Sequence, residues 1–420
     1  IKIDVKNHDI SALSFRFEEL PIPPKIQAEN RANRSFEKYV FVHSEYTEQM
    51  SMSTLSLLSL CGQAQFGGRK VVRPFVRKSR IVSSEKNAVS LAILYDLQHL
   101  NKLLNVAGYS PLVDKQEYQA ECKHTDPNHV TIHFLYLGDT TKNWNKSHLR
   151  ITSEFYDSIF EKTKATGWTN CSFLDEKMGN FPSTKQFCIN PAIITDWNVL
   201  ERDIVGGAKC LIIYLWRGIG GGVYRSHFTE NHLKFPHDAV QFTLKPSKPI
   251  QNEVARFRET FLPDRYIALY VRAELILLPH KFNFHYLKKC INVLVDVVNE
   301  LKALVGISHV YVASDMSKHG SGSLLSYVNR NLDHNPFPEI FSSLISRVGG
   351  VVYNYNASTS EITDRGAIAI VDVTLLTQAQ YLITAGKESM SSFLRWVIGT
   401  FLANRRDDKD LWSKISVCDM

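Results

Sequence analysis

Asp372 to Val397, DVTLLTQAQYLITAGKESMSSFLRWV, puts a carboxylate, a glycine turn and a serine cluster into one short stretch of chain. An amphipathic run leads into an apolar strand, YLIT, then Ala385-Gly386, then Ser389, Ser391 and Ser392, and a second amphipathic helix follows at once. A strand, a glycine turn and a hydroxyl-rich helix start make a seat for phosphate. The first N–H groups of a helix lack internal partners, and the helix dipole favours an anion there. The same serines also make an ordinary helix N-cap, the commoner use of this pattern.

Two more residues of this kind stand at the ends of apolar runs. Arg272 follows YIALYV and Asp315 follows VYVAS. In an open parallel sheet a ligand lies beyond the carboxyl ends of the strands, so both side chains and the serine cluster fall on one edge. Arg grips two phosphate oxygens at once and stays charged. Asp accepts hydrogen bonds from ribose hydroxyls or a purine edge. Together they outline a nucleotide diphosphate site, with a structural Arg272–Asp315 ion pair as the alternative. The run Trp216 to Gly222, WRGIGGG, also follows a buried strand. Its spacing is not the dinucleotide fingerprint. It is either a cleft loop with Arg217 against the ligand or a plain surface loop.

The elements that must carry these residues alternate. In the first half, strands are expected at Tyr39–Ser44, Lys70–Phe75, Val130–Leu137 and Cys210–Trp216, with helices over Thr47–Phe66, Ala88–Asn105 and 148–166. After a linker, Lys245–Pro249 (KPSKP), the alternation restarts. Strands are expected at Tyr266–Arg272, His309–Ser314, Val351–Tyr355 and YLIT, and helices at His285–Val305, Ala367–Gln380 and Phe393–Ala403. Short buried strands between helices imply parallel sheets. The expected fold class is α/β, with two Rossmann-like domains facing a central cleft. Residues 1–35, polar and with Pro21, Pro23 and Pro24 close together, read as a stem; 36–245 and 246–420 are the two domains.

Of the 420 residues 44% are hydrophobic, ample for two cores, and the net charge of +7 suits an anionic ligand without demanding one. The basic stretch Arg69, Lys70, Arg73, Arg77, Lys78 and Arg80 lacks the aromatic interleaving of a nucleic-acid surface, so no nucleic acid is expected and a solvated face is. No apolar run nears the roughly 18 residues of a membrane span. The chain opens on Ile1 rather than Met, which leaves room for a leader or membrane anchor ahead of it. Four Asn-x-Ser sequons begin at Asn33, Asn145, Asn170 and Asn356 and favour a secretory lumen. Of the seven cysteines, Cys171 and Cys188 suit a local disulfide, while Cys61, Cys210 and Cys290 sit in apolar runs and are expected as buried free thiols.

Three segments resemble the conserved blocks of the GDP-fucose-dependent fucosyltransferase superfamily, which includes protein O-fucosyltransferases and α1,6-fucosyltransferases. YIALYVRAEL is similar to its H-x-R block, with Arg272 at the arginine. VYVASD is similar to an apolar strand ending in A-T-D, with Asp315 at the acid. DVTLLTQAQYLIT with ESMSSFLRW resembles the third block, with Asp372 at its aspartate and Ser389 and Ser392 at its serines. The likeness covers about 135 residues and continues faintly over 39–100. Three departures stand out: Tyr270 replaces the histidine, Glu388 replaces a serine, and the turn Tyr46 to Gln49 lacks the glycine.

The resemblance implies a GT-B fold and inverting, metal-independent transfer of fucose from GDP-fucose to a glycan or glycoprotein acceptor in the Golgi or endoplasmic reticulum. Residues 36–245 become the acceptor side and 246–420 the donor side. Asp372 and Asp315 then hold guanosine, and Arg272, Ser389 and Ser392 the diphosphate. No metal or other cofactor is expected. Asp408-Lys409-Asp410 has metal-binding spacing but lies in a charged tail. The general base is expected from the N-terminal half, at Glu45 or Glu48, though glutamates there also complement a helix dipole. Two alternatives use the same fold: a non-catalytic glycan- or nucleotide-binding protein, and a GT-B transferase with another nucleotide sugar.

Overall fold

A computed structural model describes residues 35–46, 50–76, 89–123, 128–135, 149, 151–172, 185–217, 237–316, 334–356, 360–405 and 414–418. The chain divides into two compact units between Lys245 and Pro246. KPSKP is only partly a connection, because a helix begins at Lys248 and runs to Phe261, with Pro249 in its first turn. Proline suits that position, since the N–H it lacks has no helical partner there.

The N-terminal unit holds strands β1 (Lys38–Tyr46), β2 (Arg69–Val72), β3 (Phe75–Val76), β4 (Val89–Ser90), β5 (Leu112–Val113), β6 (His129–Phe134), β7 (Trp168–Asn170), β8 (Lys185–Ile189) and β9 (Cys210–Arg217). Seven of them form one sheet in the order β5-β2-β1-β9-β6-β8-β7, and β3 with β4 forms a small antiparallel pair. Within the large sheet only β7 runs antiparallel to its neighbour. The helix expected over Ala88–Asn105 is a single 3-10 turn, Leu91–Ile93, followed by a helix at Leu97–Val106. Asp96 divides them by accepting from His99 N at 3.0 Å.

The basic stretch is not the solvated face expected. Arg69 is fully buried and grips Glu201 through two nitrogens, at 2.6 and 2.8 Å. Lys70 pairs with Glu117 and Arg73 with Asp114. Arg77, Lys78 and Arg80 lie outside the described residues.

The C-terminal unit holds β10 (Ile267–Val271), β11 (His309–Ser314), β12 (Val351–Tyr353), β13 (Tyr381–Ala385) and β14 (Lys414–Val417). All pair in parallel, in the order β12-β11-β10-β13-β14. Counted within the unit this is 3-2-1-4-5, the strand order of a Rossmann sheet, and it reverses between β10 and β13. The helix Phe284–Val305 covers one face because Leu287, Ile291, Leu294, Val298 and Leu301 recur at helical spacing. Asn283 caps its start and Gly306, at φ +67°, ends it.

Strand side chains alternate between faces, and here the alternation separates chemistry. Ile267, Leu269, Val271, Val310, Val312, Ile383, Ala385, Ile415 and Val417 join one apolar core with that helix. The opposite phase carries Tyr270, Tyr311, Thr384, Lys414 and Ser416. Helices Arg365–Gln378 and Ser392–Ala403 meet this polar phase. Asp372 bonds Tyr311, and the Phe393 ring lies 6.0 Å from that of Tyr270.

Six cysteines form disulfides: Cys122–Cys210, Cys171–Cys188 and Cys290–Cys418. Cys210 and Cys290 are therefore not the free thiols expected; burial among apolar side chains suits a disulfide as well as a thiol. Cys61 is buried and free.

Candidate diphosphate site

The switch point between β10 and β13 is where a Rossmann sheet opens a crevice, and Arg272 follows β10 directly. Its backbone N donates to Ala385 O at the end of β13, at 2.9 Å. Gly386 follows with φ +122°, and a Cβ there would stand 3.0 Å from Arg272 O. The two strand ends are therefore in contact, and glycine lets the second turn pass the first.

Arg272 is buried. Nη1 donates to Tyr270 Oη at 3.3 Å, Nη2 to Glu274 Oε2 at 3.3 Å, and Nε lies 3.4 Å from Asp315 Oδ2 without a hydrogen-bond partner. Burial opposes the charge, but Tyr270, Asp315 and Glu274 outweigh it and hold the guanidinium protonated. Burial also pushes the Tyr270 phenol up to about 12. Asp315 accepts from the Ala273 and Glu274 amides at 2.7 and 3.1 Å. Burial raises its pKa, while Arg272 and those amides pull it back.

Asp372 lies on the helix Arg365–Gln378, which Asp364 caps through the Gly366 and Ala367 amides. Its Oδ1 accepts from Tyr311 Oη at 2.5 Å. The residue keeps some exposed surface, yet its carboxyl is enclosed by protein, and desolvation pushes it up to about 7 against the pull of Tyr311.

Glu388 opens the 3-10 turn Glu388–Met390 and points to the terminal strand. Its Oε1 accepts from Lys414 Nζ at 2.6 Å, Ser416 Oγ at 2.5 Å and Thr384 Oγ1 at 3.1 Å. Of the serine cluster, Ser391 is the N-cap of helix Ser392–Ala403: its Oγ accepts from Leu394 N at 3.1 Å and it is buried. Ser392 is the first helical residue, and Ser389 lies in the turn before it.

The structure thus brings Arg272, Asp315 and the start of helix Ser392–Ala403 to neighbouring strand ends, with Asp372 on the helix across the sheet's polar face. Glu45 and Arg217 lie at the carboxyl ends of β1 and β9, adjacent parallel strands of the other unit, where Tyr46 pairs with Arg217. Glu48 and the glycines of the 216–222 run lie outside the described residues, as do Asp408 to Asp410. Among the described residues no group of three or more His, Cys, Asp or Glu is placed to hold a metal ion. Sequence reasoning passed over Tyr311, Thr384, Lys414 and Ser416. The last two alternate with Ile415 and Val417, a strand signal only four residues long.

No family model matches the sequence, and no curated protein does at a significant level. Solved structures do match by fold. POFUT1 in complex with GDP-fucose superposes with a TM-score of 0.52 at 10% identity, covering 91% of this chain and 98% of that one. The fold is that of POFUT1. Its complex with GDP gives the same TM-score, identity and coverage. The fucosyltransferase NodZ from Bradyrhizobium matches more loosely, at a TM-score of 0.42 and 15% identity over 86% of this chain and 91% of its own, and adds no weight. The chain is therefore an α/β protein of GT-B type, and the resemblance read from three segments extends to the fold as a whole.

Proposed function

We propose that this chain is a divergent member of the GDP-fucose-dependent fucosyltransferase superfamily and moves fucose, with inversion, from GDP-fucose to a hydroxyl of a glycan or glycoprotein. The observation that carries the reading is the buried Arg272 at the switch point of a 3-2-1-4-5 sheet, beside a serine-capped helix start. In the transfer the bond from fucose C1 to the β-phosphate oxygen breaks and one from C1 to the acceptor oxygen forms. The acceptor proton passes to a general base, for which Glu45 and Glu48 are proposed. Negative charge grows on the departing diphosphate, where fixed donors help most, and removing one costs roughly a hundredfold or more in rate. Arg272, the helix start with Ser389 and Ser392, and Arg217 are the proposed donors. That charge set is proposed to work without a metal.

Asp372 is proposed for the guanine. Asp315 is proposed to hold Arg272 and the following turn, since both its oxygens already accept from amides. Three disulfides among the described residues support an oxidising compartment, hence a secretory lumen. A membrane anchor outside this sequence is proposed with it. Exposed Asn170 and Asn356 suit that setting too.

The test is thermal unfolding of the pure protein with GDP, UDP, ADP and GDP-fucose. A ligand at a hundred times its Kd adds about 2.7 kcal/mol of stability. GDP and GDP-fucose should shift the melt and UDP and ADP should not; a shift with UDP alone supports another nucleotide sugar. No shift with any guanine nucleotide refutes the donor assignment. A second reading, binding without transfer, is favoured by one observation: Glu274 and Tyr270 already occupy Nη2 and Nη1 of Arg272. GDP-fucose binding without slow hydrolysis or transfer selects it.

A further inference from the structure

We propose that Lys414 is a charge mask for the diphosphate seat: it holds the Glu388 carboxylate on the terminal strand and so keeps a fixed negative charge from repelling the ligand. The inference rests on the diphosphate reading of the switch point. Glu388 stands three residues before Ser391, the cap of the helix whose start is the proposed phosphate seat. A carboxylate so placed opposes an anion unless something answers it. Lys414 answers it at 2.6 Å, and Ser416 and Thr384 add two neutral donors to the same oxygen. Glu388 and Lys414 are both largely buried, with side chains 15% and 11% exposed, so solvent screens the pair only weakly.

The strand that brings Lys414 is itself held from two sides. β14 pairs in parallel with β13 along Leu382 to Ala385. Cys418, one residue beyond it, is bonded to Cys290 on the helix Phe284–Val305. The seat at the end of β13 therefore owes its local charge balance to the last strand of the sheet. Arg272, buried and cationic at the neighbouring strand end, is the other fixed positive group of the place, with its Nε 3.4 Å from Asp315 Oδ2.

The experiment is calorimetric titration of the full chain with GDP and with inorganic pyrophosphate, in wild type, Lys414→Met, Lys414→Arg and the double variant Glu388→Gln with Lys414→Met. Lys414→Met should bind both ligands about tenfold more weakly, or about 1.4 kcal/mol. The deficit should largely persist as salt rises, because a carboxylate this buried is screened only weakly. Lys414→Arg should stay near wild type. The double variant should recover to within about threefold of wild type, because it has no charge left to mask.

Recovery in the double variant cannot come from a merely structural lysine, since that variant lacks the lysine too. If wild type binds GDP and the single and double variants are equally weak, Lys414 only supports the strand and the inference falls. Unchanged binding in Lys414→Met overturns it as well. A wild-type chain that binds neither GDP nor pyrophosphate refutes the diphosphate reading itself, and the mask with it.

Discussion

Arg272 and Asp315 meet at the ends of neighbouring parallel strands, Nε 3.4 Å from Oδ2, and the same carboxylate caps the turn that begins at Ala273. One side chain thus balances a buried cation and satisfies two backbone donors. Replacing it by alanine strands all three. Breaking a buried pair in this way costs about 3–5 kcal/mol. Asp315→Ala should lose that much in urea unfolding, and Asp315→Asn, which keeps an acceptor oxygen, clearly less. Wild-type stability in Asp315→Ala would remove Asp315 from this role.

Asp372 ties the site to pH. Its folded pKa is about 7 against an ordinary 3.8, so the folded chain holds a proton there that the unfolded chain has released. Stability from this group is therefore greatest at low pH and declines as pH rises from about 4 to about 7. Asp372→Asn should flatten that part of the stability profile and melt higher than wild type at pH 8. Guanine recognition needs the ionised carboxylate, so GDP affinity should rise between pH 6 and 8 in wild type and lose that slope in the variant. A slope that survives in Asp372→Asn assigns it to another group.

Gly386 joins the two strand ends mechanically. At φ +122° a side chain is strained, and an added Cβ would also press on Arg272 O and Leu275 Cβ, both 3.0 Å away. Gly386→Ala should lose about 1–3 kcal/mol of stability. Because the pressure falls on Arg272, GDP affinity should fall further than the melting temperature alone explains. Full GDP affinity in a destabilised variant would separate this turn from the site.

Much of this was legible in sequence because it rests on local patterns. YIALYV, VYVAS and YLIT are short apolar runs ended by polar residues, and they are the three central strands of the C-terminal sheet. Helix Phe284–Val305 shows in the spacing of its apolar positions. What stayed hidden depends on partners distant in the chain. Glu388 looked like an unanswered carboxylate because Lys414 is 26 residues away on a four-residue strand. Which serine caps the helix was not legible, because an N-cap is fixed by which hydroxyl the first turn turns inward, and three serines stood within four residues. Cys290 looked like a core thiol because its partner, Cys418, lies 128 residues further on. Arg69 looked like one of a basic run, and only the fold brings Glu201 to it.

The Cys290–Cys418 bond closes the longest of the three disulfide loops and ties the last strand to the helix behind the sheet. In the chain-entropy account, a link across 128 residues restricts the unfolded chain by about as much as the roughly 4.7 kcal/mol given for a 100-residue loop. Replacing both cysteines by serine should cost about 2–5 kcal/mol in guanidinium unfolding. The loss has a functional counterpart. β14 pairs with β13 along one edge only, so without the bond it keeps its ladder but loses its second attachment. Lys414 and Ser416 then hold Glu388 less firmly, and the double serine variant should bind GDP more weakly than wild type at temperatures well below its melt. Adding Glu388→Gln to that variant should recover affinity without recovering stability. If stability and affinity instead return together, the disulfide acts on the fold alone.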